Sequence, residues 1–188
     1  MSITKESKSA LLRLLYAAVC LALCMVLPFL TGQIPQVGKA LCPMHLPVLL
    51  CGFLCPWPYA LAVGAIAPLL RSGLFGMPVF FPEAVVMSAE LACYGLCASI
   101  LYRALPKRAG YVYVALLGAM LAGRLVGGLV KWLLLGLGLL GEYSFAVFVA
   151  SYFTNSIPGI ISHIVLIPVL VLALRRGGLI PDETISPS

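Results

Sequence analysis

Arg71, Glu90 and Arg124 stand inside stretches that are otherwise almost wholly apolar. An ionised group at the centre of a membrane helix costs about 2.5–3.5 kcal/mol on insertion scales, so such residues face a bundle interior or a polar cavity and mark a binding site or pathway. Two arginines and one carboxylate do binding chemistry. An arginine fork holds a carboxylate through two hydrogen bonds, and because Arg71 and Arg124 outnumber Glu90, one positive charge is left for an anionic ligand. The bland alternative is a buried Arg–Glu pair that only holds helices together, with Arg124 snorkelling to the interface.

The elements that carry these residues are membrane helices. The 188 residues are 62% hydrophobic and only 10% charged, with a mean hydropathy of +1.10, whereas roughly a quarter of a soluble domain is charged. Apolar runs at 14–30, 59–70, 112–135 and 157–174 approach or reach the ~20 residues that an apolar helix needs to cross ~30 Å of hydrocarbon. With Pro- and Gly-rich breaks as punctuation, the expected fold is an all-α integral membrane protein forming one domain over 1–188. Six transmembrane helices are expected near 10–30, 45–55, 59–75, 83–102, 111–135 and 147–174, ahead of a short polar tail at 181–188. The second is short, bounded by Pro43, Pro47 and Pro56, and is either a crossing or a re-entrant segment. The positive-inside rule favours crossing. Lys5, Lys8 and Arg13 precede the first helix, Arg103, Lys107 and Arg108 follow the fourth, and Arg175 and Arg176 follow the sixth. These clusters share one side only if every segment crosses, which places both termini in the cytoplasm. The net charge of +6 then reads as an orientation signal suited to an anionic lipid surface, and no phosphate-tracking face for nucleic acid is visible. The basic start resembles a secretory signal, yet no small-residue cleavage site follows and further spans do.

Depth along those helices gathers the polar residues. At ~1.5 Å per residue, Arg71 lies about 7 Å from the outer end of the third helix, Glu90 about 10 Å into the fourth, and Arg124 about 20 Å from the cytoplasmic start of the fifth. Asn155 joins the same outer layer, with Lys131 and Glu142 near its rim. A pocket open to the outside follows. The segment TGQIPQVGKALCPM at 31–44 is long enough for a lid; Gln33, Gln36 and Lys39 would add donors, and Phe80 and Phe81 in GMPVFFP would add apolar walls. An ordinary solvated connection with interfacial aromatics explains these segments equally well. His163, deeper in the last span, reads as a helix-to-helix hydrogen-bonding residue.

Other chemistries find little support. Six of the seven cysteines fall in the pairs Cys20/Cys24, Cys51/Cys55 and Cys93/Cys97, each on one helix face, which is not zinc-knuckle spacing; cysteine also packs as a small apolar residue. An odd count inside membrane helices argues against a disulfide framework. No metal and no cofactor is expected. The chain carries no phosphate loop, dinucleotide fingerprint, His-Glu-x-x-His or Gly-x-Ser-x-Gly, so any energy for transport comes from elsewhere. A small membrane enzyme acting on lipid or isoprenoid phosphates, with Arg71 and Arg124 on phosphate, is the rival reading. It lacks an Asp-rich metal site, because Asp182 is the sole aspartate.

Ala18-x-x-x-Ala22 leaves a smooth strip on the first helix where another helix can approach closely. That strip, the size, the six expected spans, and the blocks LCPMHLPVLLCGF, APLLRSGLFGMPVFFPEA and ELACYGLCASILYR together resemble the substrate-binding S components of energy-coupling factor (ECF) transporters. The likeness runs over nearly the whole chain and is most specific at 41–103, closest to the pantothenate and riboflavin branch. The resemblance implies a non-enzymatic, multi-pass subunit of a prokaryotic plasma membrane that captures a water-soluble vitamin from outside. It implies docking through Ala18 and Ala22 on a transmembrane coupling subunit carrying two ABC-type ATPase subunits, and toppling in the bilayer to release the cargo inward. The surplus positive charge favours a carboxylate such as pantothenate over neutral riboflavin. Arg71, Glu90, Arg124, Asn155, Gln36, Lys39 and Phe81 are the expected substrate contacts.

Overall fold

A computed structural model describes residues 5–31, 40–106, 108–140 and 144–178. Every regular element among them is helical: α1 (Lys5–Val26), α2 (His45–Leu54), α3 (Trp57–Phe75), α4 (Val85–Ala104), α5 (Ala109–Gly136), α6 (Phe145–Val149) and α7 (Ile157–Arg176). A 3-10 turn, Leu27–Thr31, extends α1, and wide π turns at Phe80–Ala84 and Ala150–Thr154 lead into α4 and out of α6. Gln33, Gln36, Lys39, Lys107, Glu142 and the tail at 181–188 lie outside the described residues.

Five of the described helices are long and apolar enough to cross a membrane. The expected second span is not among them. At ten residues α2 extends about 15 Å, half the hydrocarbon thickness. Eight of its residues, from His45 to Phe53, are buried, because α1, α3, α4 and α7 all pack around it. A helix apolar on every side belongs inside a bundle, and α2 forms the centre of this one.

The expected sixth helix also differs: it is divided at Asn155 and Ser156, between the π turn and α7. Pro158 explains the break. It stands in the first turn of α7, where a missing N–H is tolerated, and it offers no N–H to the preceding turn. The Ser156 hydroxyl donates instead to the Tyr152 carbonyl at 2.6 Å, closing the turn that the backbone leaves open.

Small residues set how closely the helices approach. A Cβ on Gly64 would stand 2.3 Å from the Leu91 carbonyl oxygen, and one on Gly95 would stand 2.4 Å from that of Ala60. These two glycines, one on α3 and one on α4, interlock the backbones as small residues do between membrane helices. Gly123 of α5 gives the same close access to the Tyr94 ring. On α1, Ala17, Cys20 and Cys24 form the buried stripe, sharing one apolar core with Cys51 of α2 and Cys55 just beyond its end. The cysteines are therefore packing residues of the α1–α2 contact, and Cys24 Sγ lies 3.7 Å from the Met44 carbonyl.

The outward surface is apolar. Leu117, Leu121, Leu125 and Leu129 recur every four residues along α5 and are all exposed, while Leu116, Met120, Arg124 and Gly127 on its other side are buried. The helix is thus apolar on its outward and its packed face alike, and Arg124 is the polar exception on the packed face.

Candidate functional site

A cavity of about 440 Å³ opens where the first turns of α2 and α4, the last turn of α3, the middle of α5 and the α6–α7 break converge. This volume lies in the range of small-molecule sites, about 300–1,000 Å³. Arg71, Glu90, Arg124 and Asn155, expected from sequence to share a layer, all line it. Lys131 and Glu83 do so as well, and Met44, Met77, Val79, Val86 and Met87 supply apolar wall.

Glu90 is held from two sides. The Tyr94 hydroxyl, one helical turn further along α4, donates to Glu90 Oε1 at 3.1 Å, and His45 Nε2 lies 3.4 Å from the same oxygen. His45 packs edge-on against Tyr94, with ring centroids 5.3 Å apart, and stacks on His163 at 6.2 Å with the planes 22° apart. Glu90 thus engages a histidine and a tyrosine, where the structural alternative had it holding an arginine. His163, expected to hydrogen-bond between helices, meets α2 through this ring stack, and its Nδ1 has no protein partner.

The two arginines differ. Arg71 Nη1 donates to the Met25 carbonyl in the last turn of α1, where a cation suits the helix dipole. Its guanidinium lies 4.8 Å from the Phe29 ring centroid and 5.2 Å from that of Phe75, within cation–π range. Arg71 therefore ties the end of α1 to α3 from the cavity wall. Arg124 is only 3% exposed. Its Nη1 donates to Ser156 Oγ at 2.8 Å and it lies 5.6 Å from the Phe153 ring, but its Nε has no protein partner.

At the mouth, Lys131 Nζ lies 3.8 Å from Glu83 Oε1 and 5.4 Å from the Tyr152 ring centroid. Asn155 is exposed at the α6–α7 break. Phe81 departs from its expected role. It is 43% exposed and does not line the cavity; Met77, Pro78, Val79 and Glu83 provide that wall. Its extended backbone, φ −122° and ψ 133°, falls inside the π turn and leaves the ring on the apolar outer surface. Just before α2, Cys42 also faces the cavity; burial first, then the nearby Glu90 carboxylate, pushes its thiol up to about 12 against an opposing pull from Arg124.

Sequence reasoning missed His45, Tyr94, Tyr152 and Ser156. Tyr94 was legible, since an i, i+4 neighbour of a buried carboxylate shares its helix face. His45 was not, because its partner is 45 residues away on another helix.

An all-helical membrane protein with a small-molecule cavity walled by buried charged groups is a substrate-binding membrane subunit in architecture. Residues 12–171 match the family model of the ECF transporter, substrate-specific component, and the chain belongs to that family. No curated protein and no solved structure matches it. As a family of substrate-binding subunits, it is not enzymatic, and the lipid-phosphate enzyme reading is set aside. Membership implies a small-molecule substrate of vitamin type and a partnership with the membrane and ATPase module of an ECF transporter.

Proposed function

We propose that this subunit captures an anionic water-soluble vitamin, with pantothenate the leading candidate, and belongs to the pantothenate and riboflavin branch of its family. The carrying observation is Arg124: a guanidinium buried to 3% exposure with one hydroxyl acceptor and an unpartnered Nε. A buried charge in that condition gains most from a ligand carboxylate, because charge-assisted bidentate bonds are the strongest available to it. The charge balance of the cavity supports the same reading, since Arg71, Arg124 and Lys131 face Glu83 and Glu90 across it. Asn155 adds a polar group on the same side as Arg124. Gln36 and Lys39 remain proposed lid donors, and Phe81 remains a proposed mouth residue in contact with lipid.

In this reading α2 completes a sixth passage enclosed within the bundle, both termini lie in the cytoplasm of a prokaryotic cell, and the cavity opens outward. Ala18 and Ala22 dock on the transmembrane coupling subunit that carries two ABC-type ATPases. Both alanines are exposed on the side of α1 away from its buried Ala17, Cys20 and Cys24 stripe, which leaves the strip accessible to a partner helix. The test is native mass spectrometry of the protein purified in mild detergent, followed by calorimetry. One pantothenate bound per chain without nucleotide is expected; tight binding of a neutral vitamin and none of pantothenate would refute the anionic reading.

A further inference from the structure

A second cavity-lining residue carries a buried atom without a protein partner, of the opposite kind to Arg124 Nε. Glu90 Oε1 already receives the Tyr94 hydroxyl and lies beside His45 Nε2. A carboxylate oxygen that accepts from an Nε2–H selects the imidazole tautomer in which Nδ1 carries a lone pair. His45 lines the cavity and is 6% exposed, and its Nδ1 has no protein partner. His163, stacked behind it, and the edge contact with Tyr94 fix the plane of the ring. Glu90 and Tyr94 from α4, Arg124 from α5, His163 from α7 and Cys42 before α2 are the titratable groups around it.

We propose that His45 Nδ1 is a specificity-determining acceptor, so that the ligand must carry a hydroxyl or amide N–H donor as well as the carboxylate that faces Arg124. This deepens the proposed function and rests on it for the carboxylate. The requirement follows from the cost of leaving a buried acceptor unpaired: a site built to receive a donor rejects the analogue that lacks one far more strongly than an apolar site rejects an added group. The substrate class is therefore a hydroxylated or amide-bearing carboxylic acid, with simple fatty or aromatic monocarboxylates excluded. Pantothenate meets both requirements through its carboxylate, hydroxyls and amide.

Two variants separate this role from a structural one. The side-chain amide of His45→Asn places an oxygen near the position of Nδ1 and gives up the reach to Glu90. That of His45→Gln reaches Glu90 and leaves no acceptor at the Nδ1 position. The probes are pantothenate and its counterpart methylated on both hydroxyls and the amide nitrogen, titrated by calorimetry into protein in lipid nanodiscs. Wild type is expected to prefer pantothenate by about tenfold or more. His45→Asn should keep that preference, and His45→Gln should lose most of it. In parallel, 15N-histidine spectra of the ligand-free protein should show His45, assigned by loss of its signal in His45→Asn, as the Nε2–H tautomer. An Nδ1–H tautomer overturns the inference while leaving vitamin capture intact, as does full discrimination by His45→Gln together with none by His45→Asn. If wild type binds riboflavin and not pantothenate, the anionic reading falls alone. The same variants with riboflavin and its methylated counterpart then decide the role of His45 by the same criterion, and binding of neither vitamin overturns it too.

Discussion

The two ends of α4 are surrounded by polar groups in opposite states. Near its C-terminus, Arg103 Nη1 lies 3.3 Å from the Gly52 carbonyl, 3.2 Å from the Ser99 carbonyl and 2.5 Å from Ser99 Oγ. Ser99 Oγ in turn lies 3.0 Å from the Cys55 carbonyl. Those oxygens close the end of α2 onto α4. Near the N-terminus of α4, His45 and Arg124 line the cavity, and His45 Nδ1 and Arg124 Nε are buried without protein partners. A buried polar group left unpaired costs about 1–3 kcal/mol, so the polar groups around one end of α4 are spent on the fold, while His45 Nδ1 and Arg124 Nε, on helices packed against the other end, are held in reserve for a ligand. Between the ends, Gly64 and Gly95 lock α3 onto α4 and keep both arrangements in register.

The largest effect is expected from breaking what the two ends share. Gly95→Leu would drive a side chain into the Ala60 carbonyl, and monodisperse protein should be lost in detergent; recovery of a monomer with normal vitamin affinity would show that the seam is dispensable. Next come Ala18→Trp and Ala22→Trp, on a surface that belongs to neither end. Uptake in cells co-expressing the coupling module should collapse while calorimetric affinity stays within about twofold, since a bulky side chain prevents close helix approach. Normal uptake would remove this strip as the docking face.

Arg124→Ala and Arg103→Ala test the comparison itself. Arg124→Ala should weaken ligand binding by about 1.5–3 kcal/mol, the scale of one hydrogen bond to a charged group, with little loss of thermal stability in the ligand-free protein. Arg103→Ala should do the reverse, lowering stability and sparing affinity. Equal effects of both variants on both measurements would erase the distinction between reserved and satisfied groups. Arg71→Ala should fall between them. Its hydrogen bond to Met25 is structural, and a modest fall in affinity is expected from loosening the end of α1. The smallest effect concerns Cys42. With its thiol near 12, only about one molecule in ten thousand is thiolate at pH 8, so maleimide labelling there should be slow, and fast labelling would show that this wall of the cavity opens to water.

Charge and composition located the layer from which the site is built. Arg71, Glu90 and Arg124 were conspicuous because ionised groups are rare within apolar helices, and helical rise alone put them at similar depth. The pairing was not legible. Arg71 and Glu90 looked like partners, yet Arg71 turns to the end of α1 and Glu90 to His45, since which face each helix presents to which neighbour depends on packing across residues far apart in sequence. The break at Asn155 was written in the dipeptide Ile157–Pro158, but a long apolar run concealed it.

The sequence by itself determined a multi-helix membrane protein with buried charge and the family to which it belongs, because hydropathy, helix length and charge placement are properties of short stretches. Only the tertiary structure decided that α2 is a wrapped central helix, that four of the cysteines lie in the core between it and α1, and that two residues with unpartnered buried nitrogens line one cavity. Those outcomes depend on how closely glycine seams let the helices approach and on which side chains then fill or leave the space between them.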